Sequence, residues 1–271
     1  MSADYFTHAP EEEGCTALEY LELKRHGYAR NAGHTFGAGL GAWRAGMTSS
    51  QESVWIADLC SVAIGREGAQ LSLPESVPIK DHEADALFDA AKPLWTGTAI
   101  SILPLKAGRW RVWLPEHAQL NSISPSAVST LAVADWWPQH PSMKSWRKLL
   151  NEIQMLWHEH PVNLDRASRG LSPINSAWLY GGAPGWKPAE SDDRPVYYEG
   201  LQTSFLQGEW SEWIAQLPTL SNYLESIPPD ATISLVGERR FVELTPIKFR
   251  WWNHFLPSRT QNWTNWWTRQ K

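Results

Sequence analysis

The sequence predicts a mixed α/β or α+β fold, with one mixed β-sheet and flanking helices in a single compact body. A Trp-rich basic segment closes the chain. Three observations predict this. Helix-spaced and strand-spaced apolar stretches are interleaved without the regular strand–helix–strand alternation of a parallel sheet. Of the 271 residues, 42% are hydrophobic and 20% charged, the balance of a folded chain with a sizeable core. Cations and tryptophans gather at the C-terminal end. The boundaries that follow are a mobile acidic lead at 1–14, a mixed α/β domain at 15–245 and the Trp-rich basic segment at 246–271.

Residues 16–26 carry Leu18, Leu21 and Leu23 and predict a short helix. The Gly- and Ala-rich stretch 31–47 reads as a loop. Residues 54–64 are apolar and β-branched and predict a buried strand, with 69–73 as its partner across a turn. From Asp81 to Leu94, Ala84, Leu87, Phe88 and Ala91 have helical spacing, with Asp81 as the N-cap. Residues 99–114 predict two strands around Ala107-Gly108, with Trp110, Val112 and Leu114 alternating against Arg109, Arg111 and Trp113. Ser142 to His158 is the clearest helix. Trp146, Leu149, Leu150, Ile153, Leu156 and Trp157 form its stripe, Ser142 caps its start and Pro161 ends it. Residues 175–180 predict a strand that leaves through Gly181-Gly182. Glu209 to Leu224 predicts a helix that buries Trp210, Trp213, Ile214, Leu217 and Leu220. Residues 231–236 and 240–244 predict a hairpin around Gly237-Glu238.

Several function classes lose support at this stage. The net charge of −5 argues against nucleic acid as the default partner. Cys15 and Cys60 are the only cysteines, too few for a disulfide framework or a Cys-rich metal site. The start MSADYFTHAPEEEG lacks the basic and apolar regions of a secretory signal, and no apolar run approaches the roughly 20 residues of a membrane span. A cytoplasmic protein is expected. The 18 tryptophans fit packing better than stacking on ligands, except at the C-terminus. Residues 238–271 hold seven cations and two anions, so +5 sits there and −10 on the rest. Trp251, Trp252, Trp263, Trp266 and Trp267 lie among those cations. That mixture suits a protein partner, self-association, an acidic face of the chain itself, an anionic membrane surface or, less well, nucleic acid.

The run from Trp157 to Gly185 offers the strongest candidate site. His160-Pro161-Val162-Asn163 predicts a tight turn after the long helix. Arg166 and Arg169, three residues apart, share one face of a short helical turn that Gly170 stops. Forked guanidinium groups suit phosphate or carboxylate. With His160 and Asn163 they predict an anion pocket. Asn175 and Ser176 at one end of the next strand, and the backbone amides of Gly181 and Gly182 at the other, complete the ligand-binding set. The same residues serve a purely structural account equally well, with Asn and Arg tying loops to the backbone. Other constellations are weaker. Trp157-His158-Glu159-His160 has histidines two apart, which diverge on a helix, so no metal is expected. Ser176 lacks a nucleophile elbow, and Gly37 to Gly41 lacks the phosphate-loop pattern.

The stretch Asn151 to Met155, then His160 to Asn163, Arg166, Gly170, Pro173, Asn175, Ser176, Trp178, Leu179, Gly181 and Gly182 resembles a known signature. It is that of bacterial proteins of the cofactor-independent phosphoglycerate mutase-like, or regulatory, type. A looser similarity extends to the archaeal-type phosphoglycerate mutases of the alkaline-phosphatase superfamily. The match covers about 35 residues. The resemblance implies a phosphorylated or carboxylated ligand and a regulatory or metabolic role. Catalysis in that class implies two divalent metals on Ser, Asp and His ligands, an opening Asp-Gly motif and late Asp-His pairs. This sequence has only the isolated Lys80-Asp81-His82, so no catalytic residue is assigned and no cofactor is expected. A metal-dependent phosphoryl-transfer enzyme and a non-enzymatic interaction protein working through the Trp-rich segment stand as alternatives.

Overall fold

A computed structural model describes residues 2–246, apart from 66–67, 73–75, 107, 117, 119 and 190–194. The Trp-rich segment from 247 onward therefore lies outside the described residues. In chain order the strands are β1 (Ser2–Thr7), β2 (Trp55–Cys60), β3 (Val62–Gly65), β4 (Gly68–Leu71), β5 (Ser101–Pro104), β6 (Arg109–Trp113), β7 (Ser176–Gly181), β8 (Ile233–Val236) and β9 (Arg240–Thr245). The helices are α1 (Pro10–Glu13), α2 (Ala17–Arg25), α3 (Gly39–Arg44), α4 (Asp81–Ala91), α5 (Pro125–Val128), α6 (Val133–Trp136), α7 (Lys144–His158), α8 (Pro161–Ser168), α9 (Gln202–Gln207), α10 (Trp210–Ala215) and α11 (Leu217–Ser226).

The central sheet has the order β5-β6-β2-β7, every neighbouring pair antiparallel. Because side chains alternate across a strand, each sheet face is a separate core. Ala57, Leu59, Trp110, Val112, Ala177 and Leu179 point to one side and pack against α4 and α7. Ile56, Cys60, Trp178 and Tyr180 point to the other and meet α2, α3, α5 and α6. Trp110 is the hub of the first core. Its ring lies 5.6–5.7 Å from those of Phe88, Trp95 and Trp157. The Trp157 indole N–H donates to the Leu87 carbonyl, so even the buried polar edge is satisfied. A second sheet, β1-β9-β8, and the β3-β4 hairpin complete the molecule.

Most predicted elements are present, and the differences have local causes. Residues 2–7, expected to be mobile, form β1 and pair with β9, because the 233–245 hairpin leaves an edge for a third strand. The 31–47 stretch, expected as a loop, contains a 3-10 turn at Phe36–Ala38 and helix α3. Its glycines are there for close approach: a Cβ on Gly41 would lie 2.2 Å from the Val54 carbonyl oxygen and 2.9 Å from Gly181 Cα. The strand expected at 54–64 divides into β2 and β3. Asp81 is the first helical residue of α4 rather than its cap, and the Lys80 N–H donates to Glu83 instead. Leu156 is exposed rather than part of the buried stripe of α7. Helix α7 ends at His158 and His160 before Pro161 is extended, as expected, and Pro161 also begins α8, in a first turn where its missing N–H costs nothing. The helix expected at 209–224 breaks at Gln216 into α10 and α11, with Pro218 in the first turn of the second. Its expected buried side is not buried: Trp210, Ile214 and Leu217 are exposed, and neither helix buries a residue. Among the described residues no helix is long and apolar enough to cross a membrane.

Candidate functional site

The two arginines of the signature segment do meet a carboxylate, but it belongs to the chain itself. From α8, Arg166 donates through Nη1 to Glu83 Oε2 at 2.9 Å, and Arg169 donates through Nη2 to Glu83 Oε1 at 2.8 Å. Glu83 sits in the first turn of α4, so the triad clamps α8 to α4. Arg166 is 1% exposed and also donates to the Ser172 and Pro78 carbonyls, leaving only its buried Nη2 without a partner. Arg169 is exposed and holds Asp165 as well. Burial alone raises the Glu83 pKa, but the Lys80 amide and the two guanidinium groups outweigh it, and the carboxyl titrates below its ordinary value.

The other predicted ligand residues are engaged in the same manner. His160 caps α8, its Nδ1 accepting from the Val162 N–H, and partial burial holds its pKa below the usual imidazole value. Asn163 is buried. Its amide donates to the Trp157 and Ile174 carbonyls, and its oxygen accepts from the Ile174 N–H. Asn175 brackets Val62 the same way, accepting from its N–H and donating to its carbonyl. Ser176 is buried at the start of β7. The Gly181 and Gly182 amides, expected to face an anion, donate to Ser122 Oγ and the Val54 carbonyl. Both glycines have φ of 99°, which a side chain would strain. Gly181 also lies about 17 Å from Ser176 along an extended strand. The structure therefore groups the α8 residues but places the glycines at the far end of β7.

On the opposite face of the sheet lies a second polar cluster that the sequence did not announce. Arg109 on β6 forks onto Asp58 on β2 at 2.7 and 3.2 Å. The Tyr180 hydroxyl donates to Asp58 at 2.8 Å and accepts from Arg44, which also pairs with Glu19. Ser124 donates to Glu19 and caps α5. Burial pushes the Tyr180 phenol well up, so it stays protonated and donating. Two cations and two carboxylates balance, and every member has partners. This is a strut across α2, α3, β2, β6 and β7.

Space for a ligand lies elsewhere. A hollow of about 220 Å3 opens where the β1-β9 edge meets α1 and α2. Its floor is aromatic: Phe6 stacks on Phe241 at 4.7 Å, and Tyr20 closes one side. Its rim is polar, with His8, Glu12, Glu13 and Lys24. The Lys24 ammonium stands 5.4 Å from the centroid of Phe6 and has no carboxylate partner among the described residues. Glu13 is taken by Arg30, whereas Glu12 is exposed. His8 Nε2 lies 2.7 Å from the Cys15 carbonyl, which accepts from it. A second hollow between Trp137, Trp146 and Trp178 measures about 10 Å3, room for roughly one water. Among the described residues no three His, Cys, Asp or Glu side chains group as a metal site.

Neither a scan of family models nor a search of curated proteins finds a match. Solved structures do resemble the fold. The cofactor-independent phosphoglycerate mutase from Thermoplasma acidophilum is 16% identical, with 69% of this chain aligned to 49% of that one at a TM-score of 0.34. The PH0037 protein from Pyrococcus horikoshii is 17% identical, with 67% aligned to 41% at 0.32. The chain thus spans half or less of the structures it resembles, and a likeness this distant assigns neither site nor activity. Sequence reasoning missed the hollow because its walls come from residues 6–24 and 241, at opposite ends of the chain. The one available signal was the two-stranded hairpin at 233–245, which needs a further strand to be stable.

Proposed function

We propose that this phosphoglycerate mutase-like protein binds a small carboxylated or phosphorylated metabolite, in a regulatory or metabolic role, in the hollow above Phe6 and Phe241. The observation that carries the reading is Lys24: an exposed ammonium at the rim of an aromatic-floored cavity, without a carboxylate partner among the described residues. Lys24 takes the acidic group of the ligand, and Glu12 accepts from a hydroxyl or amino group at its other end. The aromatic floor covers the carbon skeleton between them. A volume of about 220 Å3 falls below the range of drug-sized pockets, roughly 300–1,000 Å3, and suits a metabolite of few carbons. The signature segment supports this reading indirectly, since its own cations are satisfied by Glu83 and it holds the sheet against α4.

The test is thermal unfolding of the full chain with glycerate, 3-phosphoglycerate, small amino acids and inorganic phosphate. A ligand at about a hundred times its Kd stabilises by about 2.7 kcal/mol. In a domain of this size that raises Tm by several degrees. The shift is expected for at least one organic acid and is absent in Lys24→Ala. Absence of a shift across the panel, or a shift that survives Lys24→Ala, refutes the reading.

A further inference from the structure

Helices α9, α10 and α11 display an apolar surface that nothing among the described residues covers. Phe205 and Trp210 meet edge to face at 5.9 Å, yet they are 40% and 58% exposed. Ile214 is 60% exposed, and Leu217 and Leu224 stand out beside it. Helices of six to ten residues do not persist in water on propensity alone and are held by burial of one face. The same stretch is acidic. Residues 195–238 hold Glu199, Glu209, Glu212, Glu225, Asp230 and Glu238, and not one Lys or Arg.

The chain carries the complement at its own end. Residues 246–271 contain Lys248, Arg250, Arg259, Arg269 and Lys271 with no acid, and five tryptophans among them. The segment also starts in the right place. Leu244 on β9 pairs with Ile233 on β8, seven residues beyond the end of α11. A chain of 26 residues reaches up to about 85 Å, whereas α11 is about 15 Å long. Tethering at so short a distance gives the pairing an effective concentration that no free partner matches. We propose that residues 246–271 dock intramolecularly on α10 and α11, with tryptophans on Trp210, Ile214 and Leu217 and cations against Glu209, Glu212 and Glu225. This proposal is independent of the ligand hollow.

Zero-length carbodiimide coupling of the full-length chain, with peptide mapping, tests it. Links from Glu209, Glu212 or Glu225 to Lys248 or Lys271 are expected in the monomer band, at a yield unchanged by tenfold dilution. Trypsin cleavage at Arg250 and Arg259 is expected to quicken about tenfold in the Glu209→Lys, Glu212→Lys, Glu225→Lys variant, a change equivalent to about 1.4 kcal/mol. Adding Arg250→Glu and Arg269→Glu restores the links' counterparts and slows cleavage at Arg259 again. Links confined to a dimer band, or a yield that rises with concentration, would overturn the proposal in favour of a second copy. Absence of links with cleavage unaffected by the reversals would overturn it outright. So would binding to phosphatidylserine vesicles or an oligonucleotide that the helix-face variants leave unchanged, together with no monomer links.

Discussion

Glu83 carries more than any other side chain in the α4–α8 region. It is 3% exposed and answers one fully buried and one exposed guanidinium group. Removing one member of a buried pair leaves an uncompensated charge, so Arg166→Ala is expected to cost about 3–5 kcal/mol in urea unfolding. Arg169→Ala is expected to cost much less than Arg166→Ala in the same measurement, because its guanidinium is solvated. The pH dependence follows from the sign of the shift. Glu83 titrates below the ordinary 4.5 when folded, so its contribution is complete above that value and is lost as pH falls through the folded pKa. Glu83→Gln is expected to flatten the acid limb of the stability curve, while leaving the protein weaker at neutral pH. The cysteines give a simpler check. Burial pushes the Cys60 thiol to about 12 and raises Cys15 well above its usual value. Neither is expected to react with an alkylating reagent at pH 8 until the chain unfolds.

The signature segment is built as a pair of matched staples. Asn163 fixes the approach to β7 through three hydrogen bonds, and Asn175 ties the start of β7 to β3 through two. Asn163→Ala strands the Ile174 carbonyl and amide, while the Trp157 carbonyl keeps the His160 amide, and is expected to cost on the order of 3 kcal/mol, read from the shift in denaturation midpoint. Gly41→Ala is expected to destabilise as well, because the new methyl meets backbone on both sides. At this scale the sequence was informative where periodicity marked a packed face, though not at 209–224, whose apolar stripe is exposed. The α7 stripe, the β5-β6 alternation and the 233–245 hairpin all follow from spacing of apolar residues. It was misleading where composition spoke alone. Glycines at 37, 39 and 41 read as loop but mark helical turns in close contact, Gly37 and Gly41 with backbone and Gly39 with the Tyr28 ring; Pro161 follows the end of α7 as expected but also starts α8. Of the predicted ligand residues, His160, Asn163, Arg166 and Arg169 lie on α8 or at its ends, whereas Asn175, Ser176, Gly181 and Gly182 lie beside or along β7. The arginines' partner was not legible, since Glu83 lies about eighty positions away and looks like an ordinary surface residue of an amphipathic helix.

Across the whole molecule, most charged groups deep in the fold meet an opposite charge among the described residues; the buried Arg111 instead donates to the Ser53, Trp55 and Val112 carbonyls and lies over the Trp113 ring, and burial lowers its pKa. The Arg44–Asp58–Arg109 strut and the Glu83 clamp sit on opposite faces of the central sheet and are each close to neutral. Lys24 at the β1-β9 edge and the acidic helices α10 and α11 are the places where charge awaits an answer. The first of these could not be read from sequence, because it needs both ends of the chain brought together by β1 pairing with β9. The second was half legible: charge asymmetry between the C-terminal segment and the rest was plain, but the exposed helical face was expected to be core. Ligand recognition at the chain's joined ends, rather than at the arginine pair, is the central claim. Titration calorimetry of an organic acid found to bind the full-length protein tests it directly, run side by side on wild type, Lys24→Ala and Arg169→Ala. Binding is predicted to vanish in Lys24→Ala and to persist in Arg169→Ala; binding that persists in Lys24→Ala and vanishes in Arg169→Ala would contradict the account.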